Sequence, residues 1–334
     1  MSMYQDIISV ENLFRSWDTF KKGKKRRNDI QIFDRHLEDN IFKLHSDLHE
    51  RTYKRDSYEA FFVIDPKRRH IHKANVTDRI VHQALYSKLY PIFDRRFIYD
   101  SYSCRNNKGT HRAVIRLRDF LRKESENNTR NCFALHCDIE KFFASANTAI
   151  LFDLIEKHVG DESSLRLIKE ILDSFSHGLP LGNLTSQLFA NVYLNELDQF
   201  VEHSLRVNHY IRYCDDFVII HRSERELQKY TETLRDFLWK KLHLRLNEKK
   251  IIIRKYSWGI DFLGYIVLPH YILPRTRTKR RLIKKLFRKL EMKKKREITT
   301  ESLDQTIQSY LGYLQHGDTH KLTEKLKNDI YLKI

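Results

Sequence analysis

The chain has 334 residues, with 62 Lys and Arg against 44 Asp and Glu, a formal charge of +18. Hydrophobic residues are 41% of the total, too many for a disordered basic tail, and the length can bury a sizeable core spread over two or three lobes. A folded, strongly basic protein points to a polyanion, with nucleic acid ahead of a membrane surface because no basic amphipathic helix with a clean lipid face stands out.

Cys104, Cys132, Cys137 and Cys214 lie scattered without a CxxC pair, which argues against a zinc site and a disulfide framework. They read as small buried hydrophobes in a reducing compartment. The N-terminus lacks the apolar segment of a signal peptide, and no run of about 18 apolar residues occurs. A cytoplasmic protein without a membrane span is expected.

In chain order, the run FKKGKKRRND at 20–29 is a basic loop or helix start, open to two readings: a solvated surface or a phosphate contact. From 75 to 98, Ile80, Val81, Leu85, Leu89 and Ile92 recur near a 3.6-residue period, and Asn75 or Thr77 can cap the start, so an amphipathic helix is expected. CFALHCDIEKFF at 132–143 begins as an apolar run and reads as a buried strand delivering Asp138 to a cleft. Residues 184–205 read as helix, 209–223 as strand, turn and strand, and 224–244 as helix with Leu227, Leu234 and Leu238 on one side. A β-hairpin is expected at 259–275, followed by a basic helical region whose densest run is 276–296. This order fits a small antiparallel sheet backed by two helices, with a helical C-terminal lobe.

Two adjacent acids, Asp215 and Asp216, sit where a tight turn joins two apolar strands. An isolated Asp-Asp is most often an ordinary turn. The apolar strands on both sides and the matching Asp138 at another strand end change that balance. The mutual repulsion of such carboxylates is relieved by a divalent cation, and hard oxygen ligands suit Mg²⁺, which also takes substrate phosphates as ligands. Two such ions, roughly 3.5–4 Å apart, can stabilise the attacking and leaving oxygens of a phosphoryl displacement.

The ordered blocks DIEKFF, GLPLGNLTSQLFANVYLN, YCDDF, LRLNEKK and FLGY resemble the palm motifs of reverse transcriptases. FFVIDPKRRHIHKANVTDRIVHQAL and SYSCRNNKGTHRAV upstream resemble the fingers motifs of the bacterial enzymes. The resemblance implies an α+β right-hand polymerase with fingers, a ferredoxin-like palm sheet and a helical thumb. It divides the chain into an N-terminal basic arm at 1–30, fingers at 31–132, a palm at 133–265 with finger-side helices at about 148–180, and a thumb at 266–334. It further implies two Mg²⁺ ions, with Mn²⁺ able to replace them, held by Asp138, Asp215 and Asp216 with the Ile139 carbonyl as a backbone ligand.

The same resemblance makes Phe143 a steric gate against the ribose 2′-OH, with Phe142 an ordinary core residue. Arg69, with Lys67 and Arg68 beside it, would contact the incoming triphosphate, where a guanidinium fork suits phosphate oxygens. Lys249 would protonate the departing pyrophosphate, with Lys250 as the alternative. Phe262, Leu263 and Gly264 would position the primer end. Lys279, Arg280, Arg281, Lys284 and Lys285 would grip the duplex.

In the block at 178–187, Leu181, Gly182, Ser186 and Gln187 stand where many reverse transcriptases have Gln-Gly and then Ser-Pro. Leu181 cannot hydrogen-bond the incoming sugar as Gln could, so reduced fidelity is expected. This LGNLTSQ form is most similar to the enzymes of diversity-generating retroelements, which miscopy template adenines. Template RNA, primer or cDNA and dNTPs are then the ligands, with a cognate structured non-coding RNA and a small basic ring-forming accessory protein as further partners. Some phage-defence reverse transcriptases carry a closely similar block and form the alternative. The chain stops soon after the expected thumb, leaving no room for RNase H, integrase or endonuclease domains. A non-catalytic RNA-binding scaffold would not explain keeping all three acids together with Arg69 and Phe143. A nuclease would call for a His or Lys beside the acids, and none is expected near them.

Overall fold

The computed structural model describes residues 2–64 and 68–331. Four helices open the chain: α1 (Met3–Ile8), α2 (Val10–Phe20), α3 (Asn28–Arg35) and α4 (Leu37–His49). The Ser2 and Ser9 hydroxyls cap the first two, accepting from the Gln5 and Asn12 N–H groups at 3.3 and 3.2 Å. Leu13, Trp17 and Phe20 form an apolar stripe along α2, and Ile7, Ile8, Leu13 and Trp17 are completely buried in the main core. Within the expected arm at 1–30, helices α1 and α2 are therefore packed into the core. Their apolar stripes have to be covered, and only the basic turn at 21–27 stays largely outside.

The exposed hairpin β1 (Glu59–Val63) and β2 (Arg69–Lys73) leads into α5 (Val76–Asp94). Asn75 is the cap of α5, its side chain accepting from Asp78 N–H at 2.6 Å. Helix α6 (Thr110–Glu124) follows, then β3 (Phe133–Asp138), α7 (Phe142–Ser145), α8 (Thr148–Glu156), α9 (Glu162–Asp173) and α10 (Leu184–Gln199). Strands β4 (Tyr210–Tyr213) and β5 (Asp216–His221), helix α11 (Glu224–Leu242) and strand β6 (Ile252–Lys255) complete this region.

The sheet is antiparallel with order β4-β5-β3-β6. Its first strand lies beside its third and fourth, which is the ferredoxin-like order, and the α+β class expected from the sequence is the one observed. Strand alternation divides the side chains between two cores. Leu135, Cys137, Phe217 and Ile219 join the large core with α10 and α11. Ala134, Val218 and Ile220 face a second core shared with α6.

Where a hairpin is expected at 259–275, the chain makes a three-stranded meander, β7 (Ile260–Phe262), β8 (Tyr265–Val267) and β9 (Ile272–Pro274). The third strand returns onto β8, so this unit crosses the expected palm–thumb boundary at 265. Helices α12 (Thr276–Lys294), α13 (Thr300–Leu314) and α14 (His320–Tyr331) then pack around Leu286, Leu290, Leu303, Leu314 and Leu326. All four cysteines are free; Cys132 and Cys137 are buried, but Cys104 is exposed on a left-handed backbone position (φ 52°) and is no core residue. Among the described residues no helix is long and apolar enough to cross a membrane.

Candidate active site

Strand register brings the acids together. Asp138 ends β3, Asp216 begins β5, and the two are paired across the ladder. Tyr213 pairs with Asp216, leaving Cys214 and Asp215 as a two-residue turn with Cys214 in the left-handed region (φ 57°). Ile139 N–H donates to the Asp215 carbonyl at 3.0 Å, tying the end of β3 to that turn.

Beneath the turn lies Arg212, which sequence reasoning missed. It is 0% exposed. Its guanidinium makes a two-pronged pair with Asp198 of α10 at 2.6 and 2.5 Å, and donates to Asn191 Oδ1 at 3.2 Å, Ser101 Oγ at 3.1 Å and the Cys214 carbonyl at 3.1 Å. A charged residue inside the apolar run HYIRYC was the available signal: a cation in a buried strand must find a buried acid.

The three carboxylates have different surroundings. Asp138 pairs with the Lys250 ammonium and accepts a long hydrogen bond from Asn247 Nδ2 at 3.4 Å. Asp216 pairs with His136 Nε2. Burial lowers the His136 pKa, but the hydrogen bond that its Nε2 donates to Asp216 and the charges of Asp216, Asp261 and Asp138 outweigh it and hold the imidazole above its usual value. Asp215 is pushed upward, first by burial and then by Asp138 and Asp216, with Lys250 opposing. A His and a Lys thus stand beside the acids, contrary to the sequence reading: His136 lies only two residues before Asp138, on the same face of β3.

This donor set fits a hard divalent cation. The Asp138 charge raises the cost of ionising Asp215, which a cation would relieve. Among the described residues no group of three His, Cys, Asp or Glu side chains is placed to hold a metal ion by itself, and Mg²⁺ commonly takes one or two carboxylates, water and substrate phosphate instead.

The loop at 178–183 is wedged between two elements. Gly178 (φ 70°) lies so close to α7 that a Cβ would sit 2.1 Å from the Phe143 carbonyl, and Gly182 (φ 117°) so close to β2 that a Cβ would meet Ile71 Cγ2 at 2.8 Å. Leu181 accepts from His72 N–H at 2.8 Å. Asn183, another residue not singled out from sequence, bridges to β2 through the His72 carbonyl and Ala74 N–H at 3.1 and 3.3 Å. Phe142 is buried and Phe143 half-buried, their rings edge to face at 5.3 Å. Gln187 is exposed in the first turn of α10, and Arg69 is exposed at the start of β2. Arg68 stacks over Phe62 at 3.9 Å; Lys67 lies outside the described residues.

Phe262 ends β7, and Leu263 and Gly264 form the β7–β8 turn. Leu263 and Gly264 have φ of 49° and 91°, as a type I′ hairpin turn requires. Tyr313 of α13 donates from its hydroxyl to the Gly264 carbonyl at 2.8 Å, fastening the helical lobe to this turn. The Phe262 ring lies 6.2 Å from His136, edge to face, so the turn adjoins the acid cluster. Lys249, the first sequence candidate for proton donation, is exposed, whereas Lys250 reaches Asp138. On α12, Arg280, Lys284 and Lys285 are exposed, and Lys279 and Arg281 partly covered. Lys285 also lines a groove of about 520 Å³ with Arg288 and Lys289, opposite Ser302, Thr306 and Ser309 of α13.

Residues 54–267 match the family described as reverse transcriptase (RNA-dependent DNA polymerase). Protein YkfC of Escherichia coli is 25% identical over 230 residues, covering 56% of this chain and 60% of that protein. The group II intron-encoded protein LtrA of Lactococcus lactis is 23% identical over 334 residues, covering 77% of this chain and 54% of LtrA. The chain therefore spans only a little over half the length of these relatives. Among solved structures, telomerase from Candida albicans in complex with a TWJ fragment of telomeric RNA superposes with a TM-score of 0.50 at 9% identity, covering 74% of this chain and 50% of that one. That likeness concerns the fold, a right-hand polymerase.

Proposed function

This chain belongs to the reverse transcriptase family, and we propose that it is an RNA-directed DNA polymerase that adds dNTPs to a primer 3′ end. The observation that carries this reading is the pairing of Asp138 with Asp216 across adjacent strands, with Asp215 in the β4–β5 turn next to Asp216. In the proposed site Asp138 and Asp215 are the main metal ligands, Asp216 completes the acidic cluster, and the Ile139 carbonyl is a backbone ligand. Two bound Mg²⁺ ions would supply charge stabilisation to the attacking and leaving oxygens.

The chain's own groups do the remainder. Arg69, with Lys67, holds the triphosphate; Phe143 walls off the 2′-OH; Leu181, Gly182 and Gln187 line the sugar and base. The turn at Phe262, Leu263 and Gly264 sets the primer end. Lys279, Arg280, Arg281, Lys284 and Lys285 hold the duplex backbone. A lysine near the acids returns a proton to pyrophosphate, and the contact to Asp138 favours Lys250 over Lys249 for that role. The fingers comprise the helices and hairpin before β3, the palm the four-stranded sheet with its helices, and the thumb α12 to α14.

Within the family, the LGNLTSQ block favours error-prone cDNA synthesis in a diversity-generating retroelement, with a structured non-coding RNA and a basic ring-forming accessory protein as partners. Incorporation of dNTPs on a primed RNA template in Mg²⁺ tests the activity. Asp215→Asn should abolish it while RNA binding persists, and near wild-type extension by that variant would refute the metal assignment. Sequencing the product tests the context: accurate copying of template adenines would favour the phage-defence alternative.

A further inference from the structure

The turn at 21–27, Lys-Lys-Gly-Lys-Lys-Arg-Arg, joins α2 to α3 with six cations and no acid. Two successive turns shape it, Lys24 N–H to the Lys21 carbonyl at 3.0 Å and Arg27 N–H to the Lys24 carbonyl at 2.9 Å. Half of its cations serve the fold. Lys21 pairs with Asp18 at 3.0 Å, Arg27 with Asp29 at 3.5 Å, and Lys24 donates to the Phe20 carbonyl at 2.5 Å, closing the end of α2. Lys22, Lys25 and Arg26 are exposed, and their side chains have no partner among the described residues.

The surroundings add positive charge. Asp29 is shared by Arg27, Lys73 at 3.4 Å and Arg79 at 3.0 Å, and Lys73 also pairs with Glu59 at 2.8 Å. Burial, and then the charges of Arg79 and Arg27, lower the pKa of Lys24. Cations held this close repel one another unless an anion neutralises them. The place of the turn is equally specific. Lys73 ends β2, the strand whose His72 bonds to Leu181, so the turn stands on the fingers and not with the α12–α14 lobe that fastens to Gly264. Template that has not reached the acids is unpaired, and only behind them is it a duplex.

We propose that the 21–27 turn, through Lys22, Lys25 and Arg26, is a backbone-binding track for single-stranded RNA, holding template not yet copied. It rests on the reading that this chain copies RNA, but its test requires no nucleotide addition.

Binding of the full chain is measured against salt, without dNTPs, for a blunt primer–template duplex and for the same duplex with a long 5′ RNA template extension. On the extended substrate, Lys22→Gln/Lys25→Gln/Arg26→Gln should flatten the salt slope by about 2, at roughly 0.7 per contact, or about sixteen-fold in affinity over a fourfold change in salt. Blunt-duplex binding should not change. The charge-preserving variant Lys22→Arg/Lys25→Arg/Arg26→Lys should keep the wild-type slope, which separates loss of charge from an altered fold. An unchanged slope on the extended substrate overturns the proposal, as does an equal loss on the blunt duplex. If the salt behaviour is as expected but the wild-type chain incorporates no dNTP, the polymerase reading fails and the binding track stands.

Discussion

Arg212 and Asp198 form an ion pair in which both side chains are completely buried, and the same guanidinium holds the carbonyl of Cys214, the residue before Asp215. Breaking a buried pair leaves one charge uncompensated, at a cost of about 3–5 kcal/mol. Asp198→Asn should therefore destabilise the chain by about that amount in urea. Arg212→Met with Asp198→Leu should recover much of the stability. It should not recover turnover, because nothing then holds the Cys214 carbonyl. Wild-type kcat in the double variant would show that the hairpin holds its shape without Arg212.

The two adjacent lysines should behave differently. Lys250 contacts Asp138, whereas Lys249 is exposed. General acid groups contribute about 10²–10⁴-fold to rate, so Lys250→Ala should lower single-turnover incorporation by a factor in that range. Lys249→Ala should change it little. The reverse ranking would return the role to Lys249 and make Lys250 an electrostatic partner of the acids.

Nucleotide selection should divide between Phe143 and Leu181. Removing the ring in Phe143→Ala should raise rNTP use relative to dNTP, read as the ratio of kcat/KM values; unchanged discrimination with retained activity would make Phe143 a packing residue. Leu181→Gln adds a hydrogen-bonding group beside the incoming sugar and should raise fidelity, each 1.4 kcal/mol of regained discrimination being worth about tenfold in error rate. The errors should be resolved by template base. No change at any base would separate Leu181 from fidelity.

His82 gives an acid dependence of stability. It is 5% exposed, bonded through Nδ1 to Thr185 Oγ1 at 2.8 Å, and burial, then Arg55 and Arg79, pull its pKa from 6.5 to about 4. Between those values the unfolded chain binds a proton that the folded chain does not, so stability falls as pH drops from about 6.5 to about 4. At 1.36 kcal/mol per pKa unit the loss is about 3 kcal/mol. Urea unfolding across this range should show a shallower pH dependence in His82→Asn than in the wild type. Superimposable curves would mean that His82 is not held neutral in the fold.

What the sequence by itself determined were features governed by neighbours along the chain. The apolar run ending in Asp138 is a strand because its side chains must be covered, the dipeptide Asp215-Asp216 marks a tight reversal between two such strands, and Asn75 caps the helix whose periodicity follows it. Other features were settled only by pairing between distant segments. The Asp138–Asp216 register, the reach of Lys250 to Asp138, the contact of His136 with Asp216, and the burial of Arg212 against Asp198 each join residues from different elements. The third strand at Ile272–Pro274 and the packing of α1 and α2 into the core belong with them. The physical reason is that local periodicity tells which face of an element is apolar, whereas a side chain's partner depends on register and crossing geometry, and a one-residue slip in a strand turns every side chain to the other face.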